Sequence, residues 1–291
     1  MHNFLTLNDL SNEKIQDLIF ESLDYKTGKK EIPALNTNLA SLFLEASTRT
    51  KSSFEIAAIK TGNYLVNIEE KSSALIKGES FQDTLDTLSM LDIKAVIIRT
   101  AAEYFYEGIQ TDKIKIINAG DGAHEHPSQC LLDLVTIYER FGKFKGLKVL
   151  IMGDILHSRV ARSNIEAMQR LGMEVTVYAP DIFKTDDDFH YIQDLEAGLK
   201  DVDIVMLLRN QLERHKGQLN YIHEQYLTQH GLTEERKNLL KKQAIIMHPG
   251  PFNREIEIAS SILQDERCKI LEQVKNGLYA RIAILNYVLG E

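Results

Sequence analysis

Apolar residues in this chain follow two alternating rhythms. Short β-branched runs stand at Leu39–Leu44, Tyr64–Ile68, Ala95–Ile98 and Ile114–Asn118, and again at Lys148–Met152, Glu174–Tyr178, Ile204–Leu207 and Ala244–Met247. Between them lie amphipathic stretches with the three- and four-residue spacing of a helix that buries one face: Lys51–Lys60, Phe81–Leu91, Pro127–Arg140, Ser158–Leu171 and Tyr221–Thr228. Ser11 is placed to cap a first helix with Ile15, Leu18, Ile19 and Leu23 on its apolar side. The last helix is predicted over Ile270–Leu289. Strands alternating with helices in this way predict parallel sheets covered by helices, an α/β fold. The segment Phe141-Gly142-Lys143-Phe144-Lys145-Gly146-Leu147 breaks the pattern and divides it into two such units, joined by the long helix before it. Glu69 to Ser80 is polar and reads as an exposed loop of a length that often carries function.

Composition narrows the picture. With 291 residues, 44% hydrophobic and 26% charged, the chain has room for two domains and a substantial core. The 34 Lys and Arg against 42 Asp and Glu leave a formal charge of −8, which argues against a broad nucleic-acid or anionic-membrane surface. Any anion site must then be a local gathering of arginines. Two cysteines, Cys130 and Cys268, form no C-x-x-C motif, which fits a reducing, cytoplasmic setting. No basic-then-apolar leader is visible at the start, and no apolar run approaches the ~20 residues that span a bilayer.

Five polar segments interrupt the apolar pattern at strand-to-helix junctions. Ser47-Thr48-Arg49-Thr50 follows the first strand and precedes a helix. Free backbone N–H groups and the positive end of the helix dipole meet there, and an arginine grips phosphate oxygens through two parallel bonds. Ser or Thr before a helix is also an ordinary N-cap, and the four residues alone do not choose between the two. Asp121-Gly122-Ala123-His124-Glu125-His126-Pro127-Ser128-Gln129 stands at the carboxyl end of a strand, where parallel sheets bind ligands. Its histidines are two apart and have no H-E-x-x-H pattern or cysteine partner, so no metal is expected; for His126 alone a structural role is the default.

Gly153-Asp154-Ile155-Leu156-His157-Ser158-Arg159 occupies the place of a dinucleotide fingerprint without its glycines, which argues against NAD. Arg159 stands at a helix start, where the dipole disfavours a cation. It is either a surface arginine or a clamp for a carboxylate. Arg209-Asn210-Gln211-Leu212-Glu213-Arg214 and His248-Pro249-Gly250-Pro251 leave two further strands. The paired prolines impose a rigid turn, either a plain loop or a device that aims backbone carbonyls at a ligand.

Taken together, these segments resemble the aspartate/ornithine transcarbamoylase family. Six motifs carry the resemblance in order along nearly the whole chain: E-A-S-T-R-T at Glu45–Thr50, K-G-E at Lys77–Glu79, N-A-G-D-G and H-P-S-Q within Asn118–Gln129, G-D-I-x-H-S-R-V-A-R-S-N at Gly153–Asn164, R-x-Q-x-E-R at Arg209–Arg214, and H-P-G-P at His248–Pro251. The last is similar to the aspartate branch; the ornithine branch has a Cys-containing H-C-L-P turn there, and transfer to another amino acid such as ornithine is the alternative.

The resemblance implies two doubly wound domains, residues 1–128 with 272–291 for carbamoyl phosphate and 129–271 for aspartate, the C-terminal helix packing back on the first. It implies transfer of a carbamoyl group from carbamoyl phosphate to L-aspartate, in pyrimidine synthesis, with no cofactor and no metal. Ser47, Thr48, Arg49 and Thr50 would cradle the phosphate. Arg99 would bridge phosphate and carbonyl oxygen, with Thr50 and His126 on that oxygen. Gln129 and the carbonyls of Pro249 and Gly250, in the turn closed by Pro251, would hold the carbamoyl NH2. Arg159 would bind the α-carboxylate of aspartate, with Arg209 and Gln211 on its side chain. Ser73 and Lys77 would enter the site of a neighbouring subunit in a homotrimer, where Lys77 would also bind aspartate. Glu45 would pair with Arg159 and Arg214 on domain closure. Regulatory or dihydroorotase-type chains are further partners the resemblance leaves open. Leu156, Cys130 and Ser128 depart from the commonest family patterns, and none of them is a proposed ligand.

Overall fold

The computed structural model describes residues 2–69, 78–210 and 220–290. They form α1 (Asn12–Thr27), β1 (Asn38–Phe43), α2 (Thr48–Lys60), β2 (Tyr64–Glu69), α3 (Phe81–Met90), β3 (Ile93–Thr100), β4 (Lys115–Asp121), α4 (Pro127–Phe141), β5 (Lys148–Met152), α5 (Arg159–Arg170), β6 (Glu174–Tyr178), α6 (Leu195–Lys200), β7 (Ile204–Leu207), α7 (Asn220–His230), α8 (Glu234–Lys237), β8 (Ile245–Met247) and α9 (Ile270–Leu289). Every strand and helix expected from the apolar pattern is present within a few residues. The short α6 and α8 were not expected: a helix of one or two turns contains too few residues for its period to register. Their starts are marked instead by capping side chains, Asp194 accepting from the Ala197 N–H and Thr233 from the Arg236 N–H.

The chain divides into two compact units, Met1–Val135 with Val274–Glu291, and Thr136–Gln273. Each holds a four-stranded, wholly parallel sheet. The strand order is β2-β1-β3-β4 in the first and β6-β5-β7-β8 in the second, the same topology used twice. In both, the connection that leaves the second strand crosses over the first. The order therefore reverses between β1 and β3, and again between β5 and β7. Open α/β sheets bind ligands beside such reversals, at the carboxyl ends of the strands.

Both faces of each sheet are buried, which accounts for the unbroken apolar runs. In the first unit Ala40, Leu42, Val96, Ile98 and Ile116 line one face and pack with Leu85 and Leu88 of α3. Leu39, Ile97 and Ile117, of opposite parity, are buried on the other. In the second unit Leu150, Met152, Val205, Leu207 and Ile246 pack with Leu195 and Leu199 of α6 and with Ile258 and Ile262. The edge strand β2 is the exception, leaving Tyr64 and Val66 exposed. Among the described residues no helix is long and apolar enough to cross a membrane.

Candidate active site

The first unit gathers its candidate residues at the carboxyl edge of three adjacent strands. Parallel pairing sets Phe43 of β1 opposite Arg99 of β3. One more ladder bond, from the Leu44 N–H to the Arg99 carbonyl at 2.8 Å, fixes the backbone of both beyond the end of β1. The Arg99 side chain reaches along this edge. Its Nη1 donates to the Ser47 hydroxyl at 3.3 Å, and its Nε lies 3.5 Å from Glu45 Oε2. Glu45, expected to meet arginines of the second domain, thus has a cation partner within its own unit.

Helix α2 starts at Thr48, three residues before the expected position. Thr48, Arg49 and Thr50 form its first turn, and Ser47 is the N-cap in extended conformation, with φ −158° and ψ 102°. The Ser47 side chain makes no capping bond. Of the two readings of this segment, the hydroxyl is not used as an ordinary cap. No acidic residue occupies the first turn of α2, nor that of α4, α5 or α7, whereas α1, α3, α6 and α9 each carry one and α8 carries two. The positive ends of α2, α4 and α5 are therefore left without an anion of their own. Thr50 is buried, while Thr48 and Arg49 are exposed. Arg49 has no ion pair among the described residues.

The turn that delivers His126 is built on a buried acid. Asp121, fully buried at the end of β4, accepts from the Glu125 N–H at 3.0 Å, the Tyr104 N–H at 3.1 Å and Asn118 Nδ2 at 3.1 Å, and lies 2.9 Å from His124 Nδ1. Gly122 has φ +50°, and a Cβ there would stand 2.9 Å from the Ala101 carbonyl oxygen, so the turn requires glycine. His126 follows, buried, its carbonyl accepting from the N–H groups of Gln129 and Cys130. Pro127 is the first residue of α4, where its missing N–H costs nothing. Gln129 is buried and donates through Nε2 to Asp133 Oδ1 at 2.9 Å.

The second unit repeats the arrangement. At Gly153, with φ +132°, a Cβ would stand 2.8 Å from the Leu208 carbonyl oxygen, so the loops after β5 and β7 approach closely. Fully buried Asp154 accepts from the His157 N–H at 3.2 Å and lies 2.9 Å from His157 Nδ1. Ser158 caps α5 by accepting from the Ala161 N–H at 3.1 Å, and Arg159 is the first residue of that helix, half-buried. Arg209 leaves β7. The next residue, Asn210, donates its N–H to Glu257 Oε1 at 2.8 Å. Glu257 also receives the Asn253 N–H at 2.6 Å and Asn253 Nδ2 at 2.8 Å. One buried carboxylate thereby ties the loop after β7 to the loop after β8. Burial raises the Glu257 pKa, and the Asn210 and Asn253 donors act against that rise. After β8, the Gly250 N–H donates to His248 Nδ1 at 2.9 Å, and the Gly250–Pro251 peptide is cis.

Glu45, Ser47, Thr48, Arg49, Thr50, Arg99, His126 and Gln129 thus share the carboxyl edge of the first sheet. Arg159, Arg209, Pro249, Gly250 and Pro251 share that of the second. Ser73, Lys77, Gln211 and Arg214 lie outside the described residues. Among the described residues no group of three His, Cys, Asp or Glu side chains is placed to hold a metal. The sequence reading passed over the buried acids Asp121, Asp133 and Glu257. For Asp133 a signal was there, its position four residues after Gln129 on one helix.

Residues 2–139 match the family model for the carbamoyl-P binding domain of aspartate/ornithine carbamoyltransferase, and residues 145–288 match the model for its Asp/Orn binding domain. The chain belongs to the aspartate/ornithine carbamoyltransferase family. Within that family it is 46% identical, over 99% of its length and 96% of the relative's, to the aspartate carbamoyltransferase catalytic subunit of Fusobacterium nucleatum subsp. nucleatum. It is 43% identical, over 99% of its length and 97% of the relative's, to the catalytic subunit of the same name from Malacoplasma penetrans. Among solved structures it is similar to aspartate transcarbamoylase from Trypanosoma cruzi in complex with carbamoyl aspartate and phosphate, with a TM-score of 0.86 and 27% identity, covering 98% of this chain and 94% of that one.

Proposed function

We propose that this chain transfers the carbamoyl group of carbamoyl phosphate to the amine of L-aspartate, giving N-carbamoyl-L-aspartate and phosphate for pyrimidine synthesis. The observation that carries this reading is the paired edge chemistry. A phosphate-type helix start with Arg49 and Arg99 stands at the strand ends of one unit, and carboxylate-type cations Arg159 and Arg209 at those of the other.

In this reading the first unit binds carbamoyl phosphate and the second binds aspartate. The N–H groups of the first turn of α2, the Ser47, Thr48 and Thr50 hydroxyls, and the Arg49 guanidinium receive the phosphate. The neutral amine of aspartate attacks the carbonyl carbon, and negative charge grows on the carbonyl oxygen. Thr50, Arg99 and His126 are fixed donors aimed at that oxygen, an oxyanion hole. The bond from carbon to the phosphate oxygen breaks, and the proton lost by the amine leaves with the phosphate. Gln129 and the carbonyls of Pro249 and Gly250 accept from the carbamoyl NH2. Arg159 holds the α-carboxylate, and Arg209 with Gln211 holds the β-carboxylate. No covalent nucleophile is needed; the rate comes from positioning and electrostatics. Glu45 and Arg214 act in domain closure.

The proposal includes a cytoplasmic homotrimer in which Ser73 and Lys77 complete the site of a neighbouring subunit. Regulatory or dihydroorotase-type chains are candidate partners of that trimer. The deciding assay supplies carbamoyl phosphate with either aspartate or ornithine and identifies the carbamoylated product. Carbamoyl aspartate is expected; product from ornithine alone would reject the assignment. Solution mass three times that of the chain is expected, and a monomeric, fully active enzyme would exclude the shared site.

A further inference from the structure

Arg281, in α9, is a buried cation with no part in the chemistry above. It is 2% exposed. Its guanidinium carbon lies 5.1 Å from the centre of the Phe54 ring of α2, and its Nη1 donates to the Gly277 carbonyl at 2.9 Å. A Cβ at Gly277 would stand 2.6 Å from that same Nη1, so glycine leaves the room the guanidinium occupies. Burial lowers the Arg281 pKa to about 10; the negative charge of Asp133 opposes the fall, and the positive charge of Arg99 adds to it. A guanidinium is costly in a dry interior unless an anion accompanies it. The negative charge of Asp133 of α4, itself fully buried, favours the charged guanidinium, whose contacts are the Gly277 carbonyl and the Phe54 ring.

Asp133 accepts a hydrogen bond through its Oδ1 from Gln129 Nε2 at 2.9 Å. An ionised carboxylate accepts hydrogen bonds and donates none. The Gln129 amide gives its nitrogen to Asp133 Oδ1 and so turns its oxygen away. An oxygen presented in this way can accept from an NH2 group and offers nothing to a methyl.

We propose that Asp133 is a positioning residue that fixes the orientation of the Gln129 amide and so makes the site prefer a transferred group bearing NH2 over one bearing CH3. The inference rests on the reading of Gln129 as the acceptor for the carbamoyl NH2.

The test compares carbamoyl phosphate with acetyl phosphate, which has the same charge and a methyl in place of the amine. Dissociation constants for both are measured on the intact protein and on Asp133→Asn. Asparagine both donates and accepts, so Gln129 is free to settle either way. The preference for carbamoyl over acetyl phosphate is expected to fall about tenfold, the effect of one misdirected buried hydrogen bond, with acetyl phosphate changing by less than about twofold. Asp133→Asn also removes a negative charge that favours the buried Arg281 guanidinium, so Asp133→Asn with Arg281→Met is made as well. The double variant is expected to melt closer to wild type, with the preference still lost. In a Gln129→Met background, Asp133→Asn should cause no further loss of preference. Equal weakening of both ligands in the single and double variants would overturn the inference, because a merely structural role moves both alike. A wild-type protein that forms no carbamoyl aspartate would instead overturn the reading on which the inference rests.

Discussion

The Ser47 hydroxyl receives Arg99 Nη1 at 3.3 Å, although Ser47 is the N-cap of α2. A cap hydroxyl normally serves its own helix, as Ser11 does by accepting from the Lys14 N–H at 3.2 Å. At Ser47 the hydroxyl instead joins β3 to the start of α2 and leaves that helix's first N–H groups open. Function and stability should therefore separate at these two serines. Ser47→Ala is expected to raise the KM for carbamoyl phosphate about tenfold with little change in melting temperature. Ser11→Ala should lower stability by about 1 kcal/mol with KM unchanged. Thermal melts and initial rates on both variants check this; a large loss of stability in Ser47→Ala would show that the hydroxyl is structural.

Arg49 stands in the first turn of a helix with no acid to oppose the dipole and no ion pair among the described residues to hold it. A cation there works against the stability of α2, so its removal should leave the fold intact or slightly firmer. Arg49→Ala is expected to cut kcat/KM by about 10²- to 10³-fold. Arg49→Lys should recover only part of this, because an ammonium is a point charge and cannot form two parallel bonds to a phosphate. Near wild-type turnover in Arg49→Ala at saturating substrates would remove the arginine from the mechanism.

Glu257 gives the second unit a different separation. It binds the backbone N–H of Asn210 on one loop and that of Asn253 on another, so both carboxylate oxygens are in use. Glu257→Gln keeps one acceptor oxygen and turns an amide nitrogen toward an N–H that needs an acceptor. The loop carrying Arg209 should loosen. The expected result is a KM for aspartate raised about tenfold, with affinity for carbamoyl phosphate within about twofold of wild type. Equal losses for both substrates would count against a local role for Glu257.

These separations also show what was legible in the sequence. The apolar runs located all eight strands because a parallel sheet buried on both faces demands unbroken apolar residues, as at Val149 to Met152. Arg49, Arg99, Arg159 and Arg209 each lay within two residues of an expected strand end or helix start, and it was the family resemblance that gave them roles. The use of the Ser47 hydroxyl was not, because capping and substrate binding call for the same residue type at the same place. Nor were the roles of Asp121, Asp133 and Glu257. Asp133 showed only its four-residue spacing from Gln129, and the partners of Asp121 and Glu257 are set by loop closure, as when Glu257 meets Asn210, forty-seven residues earlier in the chain. A charged residue in a sequence is read as surface by default, and only the fold reveals that these three are inside.

Beside β8, Asp265 anchors the turn from which Arg267 and Lys269 pair with Ile246. Its carboxylate accepts from Arg267 Nε at 3.0 Å, Arg267 Nη2 at 2.9 Å and the Arg267 N–H at 2.9 Å, and lies 3.3 Å from Lys237 Nζ. These donors, Arg267 foremost, hold its pKa well below the usual carboxylate range. A carboxyl group whose pKa is lower in the folded chain than in the unfolded one binds fewer protons when folded. Its contribution to stability is complete above the unfolded value of about 3.9 and disappears as pH falls through the folded value. Asp265→Asn is expected to lower unfolding free energy at pH 7 by on the order of 1–2 kcal/mol, the range for charge-assisted bonds partly screened by solvent. The gap from wild type should hold down to about pH 5 and narrow steadily below pH 4. Urea unfolding of both proteins at pH 7, 5, 4 and 3 checks this, and a gap that stays constant across the series would assign the loss to packing. Although β8 leads directly into His248 and the Pro249–Pro251 turn, Asp265 touches none of the proposed ligands, and the variant should keep its KM for both substrates wherever it remains folded. A raised KM at pH 7 would mean that the Asp265 turn reaches the site through β8.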